Sequence, residues 1–241
     1  LGSIYQICKV FRDGESGRQH NPEFSILEWY RTGFDHLDLM DEVERLLTGI
    51  LSDISPVESV FHWRYRDLLL EFAGVDAFDT SPADLRFLLQ GSYNITPVGV
   101  PDTDLETWLD LVMTHIVEPR LGKGLVFVRD YPASQASLAR LRSDNPQVAA
   151  RFELWLDGLE IANGFYELAD AAEQRQRFMR DNERRRQAGL DPVPIDEHLL
   201  AALQAGLPDC AGVAVGIDRL LMVASGATSL DAVQSFPVEI A

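Results

Sequence analysis

Three short stretches of this 241-residue chain carry side chains whose types and spacing could do chemistry. The first, FRDGESGRQHNPEFSILEWYR from Phe11 to Arg31, starts with Arg12 at the end of an apolar run. It passes through a polar, glycine-rich turn with Arg18 and His20, and ends in a run holding Glu28 and Tyr30. A guanidinium at a strand end facing a polar loop suits bidentate capture of a phosphate, and Arg18 and His20 add donors for further phosphates. In a strand, alternate side chains share a face, so Phe24, Ile26, Glu28 and Tyr30 point one way and Glu23, Ser25, Leu27 and Trp29 the other. The first of these faces carries a carboxylate and a phenol beyond an aromatic ring. A half-buried carboxylate needs a partner, which is either a structural arginine or a cationic ligand. The stretch therefore reads as an anion pocket next to a cation pocket.

The second stretch, RFELWLDGLEIANGFYELAD from Arg151 to Asp170, puts Asn163, Phe165 and Glu167 on one strand face, with Glu153 on a neighbouring strand. Glu160 has the opposite parity unless a bulge intervenes. Carboxylates around a triphosphate are what Mg²⁺ requires, because this hard cation takes oxygen ligands and bridges phosphates; the alternative for Glu153 is an ordinary surface acid. The third stretch, GVAVGIDRLLMV from Gly212 to Val223, is a glycine-punctuated strand entering an apolar helix. Gly216 permits close approach of a ligand to the backbone, and Arg219 follows at a helix N-terminus suited to anions.

The elements that must position these groups follow from composition and period. Ile4 to Arg12 and Glu23 to Arg31 are rich in β-branched and aromatic residues and predict two antiparallel strands joined by a long loop. Asp35 to Leu51 and Phe61 to Phe72 have helical periodicity. The Gly/Pro/Ser/Thr-rich stretch from Val75 to Val100, with a helix start at Ser81-Pro82, reads as an insertion lying on the core, and Asp102 or Thr103 caps a helix running to about Val117. Strands are predicted at Leu125–Arg129, Arg151–Leu156, Glu160–Glu167 and Gly212–Ile217, and helices near Ala171–Gln187 and Asp196–Ala205. Strands without regular βαβ alternation predict an α+β fold on an antiparallel sheet.

With 46% apolar residues, the 27.0 kDa chain can bury a full core. No apolar run approaches the roughly 20 residues of a bilayer span, so no membrane partner and a cytoplasmic setting are expected. Cys8 and Cys210 have no metal-type spacing and read as small buried hydrophobes. A formal charge of −17 repels polyanions and disfavours stable docking of tRNA or DNA. The Arg-rich run from Arg175 to Arg186 is interleaved with Glu173, Asp181 and Glu183 at helical spacing, and reads as an ion-paired, solvated helix face.

Taken together, Arg12, the HNPEF run from His20 to Phe24, Glu28-Trp29-Tyr30, the EIANGF stretch from Glu160 to Phe165 and Gly216-Ile217-Asp218-Arg219 resemble motif 2, the amino-acid-binding strand and motif 3 of class II lysyl-tRNA synthetase catalytic domains. More closely, HNPEFSILEWYR, YPASQASLA, GLEIANGFYELAD and LPDCAGVAVGIDRL resemble the short paralogues of that synthetase that ligate (R)-β-lysine to elongation factor P. The resemblance runs through nearly all 241 residues in the same order. It implies a class II synthetase-like catalytic domain over residues 1–241, a sheet of six or seven antiparallel strands flanked by helices, and bent ATP. It places motif 1, which builds the family's dimer interface, upstream of residue 1, and so implies a homodimer for the full-length protein.

Carried over residue by residue, the resemblance gives catalytic roles to Arg12 and Arg219, with Arg12 on the α-phosphate and the substrate carboxylate. Asp13, Gly14 and Asn21 line the nucleotide site, His20 lies near the phosphates, and Phe24 stacks on adenine against Arg219. Glu160 and Ile161 match the ATP and Mg²⁺ segment, with Glu153 as a second metal ligand and Gly216 beneath the nucleotide. Glu28, Tyr30, Asn163 and Glu167 match positions that bind the lysine-like substrate, and Ala214 stands where the synthetase pattern has glycine, trimming the pocket floor in favour of a β-amino acid. Gly14 stands where the synthetase pattern has Glu, so the adenine contact there falls to backbone or to Glu15. The implied chemistry is adenylation of (R)-β-lysine or lysine by ATP, then transfer to a lysine ε-amine of elongation factor P; the alternative acceptor is the 3′ end of tRNA(Lys). The ligase is favoured by the Ala214 substitution, by the acidic charge and by a chain that ends soon after Arg219.

Overall fold

The computed structural model describes residues 2–14 and 16–237; Glu15, one of the two adenine-contact alternatives, lies outside the described residues. Seven strands form a single sheet: β1 (Ile4–Phe11), β2 (Glu23–Thr32), β3 (Val60–Arg64), β4 (Leu125–Pro132), β5 (Val148–Leu156), β6 (Leu159–Tyr166) and β7 (Cys210–Gly216). Their order across the sheet is β1-β2-β7-β6-β5-β4-β3. The expected α+β class is found, but the sheet is mixed rather than wholly antiparallel: β3 runs parallel to β4 while every other pairing is antiparallel. The reason lies in the chain between them. A parallel pair needs a long crossover, and residues 65–124 supply one made of helices.

The helical reading of Phe61 to Phe72 is corrected at its start. Val60 to Arg64 is strand, and helix α2 begins only at Tyr65 and runs to Ala73. Val60, Phe61 and Trp63 are β-branched or aromatic, and pairing with the fully buried β4 outweighs the helical period. The remaining helices are α1 (His36–Leu51), α3 (Pro82–Tyr93), α4 (Leu105–Val112), α5 (Ala171–Gln187), α6 (Glu197–Ala205) and α7 (Ile217–Ser225). Ser81 caps α3 as expected, but α4 is capped by Asp104, not by Asp102 or Thr103, and from Met113 to Val117 the helix widens to a π turn. Asp102 instead binds Arg86.

Each face of the sheet has its own core. On one face α1 lays Leu39, Met40, Val43, Leu47 and Leu51 against Phe127, Phe152, Leu154 and Val213. Asp35 holds the start of α1 in a capping box with Asp38. Each fully buried leucine adds roughly 1.5–3 kcal/mol. On the other face α2, α3, α4 and the π turn cover only the β3-β4-β5 end, packing Leu68, Leu85, Trp108 and Ile116 on Val126, Val128 and Trp155. Residues of α3, α4 and the π turn thus pack on this end of the sheet. At the β1-β2-β7-β6 end, this second face is left for side chains that bind rather than pack.

Two irregularities aim side chains at that open face. A bulge at Asp130, whose φ is +62°, restores Tyr131 to the same face as Val128. Burial pulls the Asp130 carboxyl up, but His36, Arg142 and Arg129 outweigh it and hold the group at about 2. The second irregularity lies between Leu154 and Trp155, where Leu154 pairs with Ala162 but Trp155 pairs with Glu160. That is the bulge the parity of Glu160 demanded. It turns Glu160 onto the face of Glu153.

Candidate active site

One row of side chains crosses four strands in register: Glu28 on β2 opposes Ala214 on β7, Ala214 opposes Asn163 on β6, and Asn163 opposes Glu153 on β5. The next row on the same face is Tyr30, Gly212, Phe165 and Arg151. Residues from four separate stretches thus become neighbours because opposed positions on adjacent strands lie about 5 Å apart.

Above these rows a cavity of about 250 Å³ is lined by Arg12, His20, Asn21, Phe24, Glu153, Glu160, Ile161, Asn163, Ala214, Gly216 and Arg219. Its walls thus hold all the expected nucleotide and metal residues except Asp13 and Gly14, which sit exposed in the loop outside them. The loop closes on itself through Arg12 N to Pro22 O, 2.9 Å, and a small bridge between Gly17 and His20. Asn21 is buried, and its amide donates to Glu23 O and Gln234 Oε1, so it anchors the loop as well as lining the cavity. Arg12 lies 5.2 Å from the centroid of the Phe24 ring. Arg219, opposite, donates to Glu160 O at 2.9 Å and to Gln19 O at 3.3 Å, and meets the Glu160 carboxylate at 3.3 Å. A Cβ on Gly216 would meet nothing closer than 3.7 Å within the protein, so packing does not demand glycine there.

Tyr30 and Glu167 line a second cavity of about 320 Å³. Glu28 lines neither but links the two, because its Oε1 accepts from Tyr30 Oη at 2.5 Å and its strand neighbour is Ala214. Of the two partners open to Glu28, the structural arginine is absent: it enters no ion pair among the described residues. Burial first, then the charge of Glu28, pushes the Glu167 carboxyl up to about 7. Burial and the hydrogen bond to Glu28 push the Tyr30 phenol well above its usual range. Two acids and a phenol held short of counter-charge form a recess that favours a cation.

Three contributors, Arg151, Gly212 and Asp218, were given no role from sequence. Arg151 donates to Asn163 Oδ1 (3.3 Å) and to Gln135 O (2.7 Å), pairs with Glu153, and stacks over Tyr131. Glu153 also accepts from Tyr131 Oη at 2.6 Å; it is 14% exposed, not a surface acid, and burial pushes its carboxyl up against the pull of Arg151. Gly212 is required: a Cβ there would come within 2.6 Å of both Glu167 Oε1 and the Tyr30 ring. Asp218 is buried and accepts from Ser25 N at 2.6 Å, fixing the start of α7 to β2. Strand parity alone marks Arg151, two residues before Glu153, and Gly212, two before Ala214; nothing local marks Asp218.

The model of class II tRNA synthetases specific for D, K and N matches residues 1–240. The chain belongs to that family. Among curated members, a Vibrio vulnificus elongation factor P–(R)-β-lysine ligase is 45% identical over 241 residues, all of this chain and 73% of the relative. Proteins of the same name from Edwardsiella ictaluri and Salmonella typhi are 47% and 45% identical, each over 99% of this chain and 72% of their own length. The class II fold accounts for the arrangement seen: a cavity lined by Arg12 and Arg219 and a row of strand residues below it.

Proposed function

We propose that this protein is an ATP-dependent ligase that activates (R)-β-lysine, or lysine, as an aminoacyl-adenylate and transfers it to the ε-amine of a lysine on elongation factor P in the cytoplasm. The observation that carries this reading is the register Glu28–Ala214–Asn163–Glu153, which joins a guanidinium-rimmed cavity to an acidic recess on one sheet face. An ATP bent into the cavity between Arg12 and Arg219 presents its α-phosphorus toward the recess. There the side-chain amine of the amino acid meets Glu28 and Glu167 while its carboxylate lies at Arg12. A carboxylate oxygen bonds to the α-phosphorus as the bond to pyrophosphate breaks. Arg12 stabilises the charge that develops in this in-line displacement, where preorganised electrostatics act most strongly. The acceptor amine then bonds to the carbonyl carbon, AMP leaves with the bonding pair, and the amine proton passes to solvent.

Glu153 and Glu160 would hold a magnesium ion: both carboxylates line the cavity, and burial together with the charge of Glu160 pushes the Glu153 carboxyl up, which a hard cation with oxygen ligands would relieve. When bound it would offset phosphate charge. Among the described residues no helix is long and apolar enough to cross a membrane. A homodimer belongs to the same reading, supported by the exposed Tyr5, Ile7 and Phe11 on edge strand β1. ATP–pyrophosphate exchange with α-lysine and (R)-β-lysine separately, followed by transfer to elongation factor P or to tRNA, tests the function. Exchange with neither amino acid would refute it, and preferential transfer to tRNA would make the chain a synthetase.

A further inference from the structure

A third cavity, of about 440 Å³, opens beside the first and shares two walls with it, Arg151 and Glu153. Its other walls come from α2, α4, the π turn and the turn after it, β4 and the segment that follows, Trp155 of β5, and α5. Charge and unfilled hydrogen-bonding capacity both point to its ligand. Glu106 is neutralised by Arg184 and Glu153 by Arg151; Asp110 lies within the field of Arg151 and Glu118 within that of His115, but neither of these two nor Asp181 enters an ion pair among the described residues. Gln135 gives its amide N–H to Asp110 Oδ1 at 2.6 Å, which leaves Gln135 Oε1 buried and unfilled. Tyr65 also lines the cavity with 0% exposure, and its hydroxyl has no hydrogen-bond partner among the described residues. A buried polar side chain without a partner costs about 1–3 kcal/mol, so such groups mark a place where a ligand completes the bonding.

Five carboxylates against two guanidiniums, with two unfilled oxygens beside them, call for a donor-rich cation. They repel pyrophosphate, and the amine of the activated amino acid is already faced by Glu28 and Glu167 on the far side of Ala214. We propose that this recess receives the side-chain ammonium of the acceptor lysine and guides it, past Arg151 and Glu153, to the adenylate, where it gives a proton to solvent and the free amine attacks the carbonyl carbon. The inference rests on the ligase function above and adds the acceptor's route. Asp110, Thr114 and Asp181 are exposed, so the recess opens to the surface, as a side chain carried on another protein requires.

The test compares nucleophiles. In the full chain, an Asp110→Asn/Glu118→Gln variant is assayed for ATP–pyrophosphate exchange, for transfer from preformed adenylate to elongation factor P, and for cleavage of the adenylate by hydroxylamine, which is uncharged at neutral pH. Loss of two charged contacts is expected to lower transfer to elongation factor P about ten-fold or more. Exchange and hydroxylamine cleavage should stay within about two-fold of wild type, which also reports a folded protein. Tyr65→Phe, which removes only the hydroxyl, should show the same split more weakly. Equal transfer in variant and wild type overturns the proposal, as does a parallel fall in all three reactions with Tyr65→Phe unaffected. Absence of exchange in the wild-type protein defeats the ligase function instead, and the acceptor route falls with it.

Discussion

The two ends of the site hold charge in opposite ways. At the nucleotide end, Arg12 is exposed at the close of β1 and Arg219 sits at the first turn of α7, each at an element's end. At the amine end, Glu28, Tyr30 and Glu167 are on or beside strands, packed so closely that one neighbour must be glycine. Guanidinium stays ionised whatever its surroundings, so it can stand in solvent and grip a large, multiply charged ligand that must also leave. Carboxylates can be tuned, and burial of Glu167 pushes its carboxyl up in a recess that favours a small cation. On the proposed function, one end supplies rate and the other selection.

The sharpest way to break this division is Arg12→Ala. It should cost about 2.7–4 kcal/mol of transition-state stabilisation, by analogy with losing one donor to a developing oxyanion. Exchange rates should fall by two to three orders of magnitude, and turnover near the wild-type rate would remove Arg12 from the chemistry. Gly212→Val should act at the other end alone: its Cβ intrudes on Glu167 and Tyr30, and overpacking of about 1–3 kcal/mol should raise KM for the amino acid ten- to hundred-fold while KM for ATP holds. Equal damage to both constants would mean that the ends are not separable.

Glu167→Gln sharpens the comparison by pH. With its carboxyl at about 7, Glu167 is largely neutral below that pH and charged above it. Apparent affinity for the cationic substrate should rise by up to about ten-fold per pH unit approaching 7 and then level, and the Gln variant should lose this slope together with about ten-fold in affinity. The stability of the free protein moves the other way. The folded state keeps a proton that the unfolded carboxyl releases, so stability falls as pH rises from the ordinary carboxylate range to about 7. Denaturant midpoints across that window should be flatter in Glu167→Gln. The smallest effect expected is that of Ala214→Gly, where one methyl is worth about 0.8 kcal/mol and should shift the preference between α-lysine and (R)-β-lysine a few-fold, read from kcat/KM for each.

Much of the site was legible locally. The alternation of Phe24, Ile26, Glu28 and Tyr30 and of Asn163, Phe165 and Glu167 assigned faces correctly because side-chain period in a strand is fixed at two. Glu160 was ambiguous for the same reason, since a bulge changes parity without leaving a mark in composition. The Arg-rich helix α5 is ion-paired as expected through Arg175, Arg184 and Arg186, yet Arg177 turns inward to Ser137 O and Ala139 O. Cys210 is buried but Cys8, on the edge strand, is only half so.

By itself the sequence determined the charge types, their faces and the chemistry they permit, because these depend on residue identity and on backbone periods that hold within a single element. Only the tertiary structure decided which faces meet. The register that sets Glu28, Ala214, Asn163 and Glu153 in one row, the parallel docking of β3 and the cavity shared at Arg151 and Glu153 arise between elements far apart in the chain. Hydrogen bonding across a sheet and the burial of both its faces fix them cooperatively, and no local pattern carries that information.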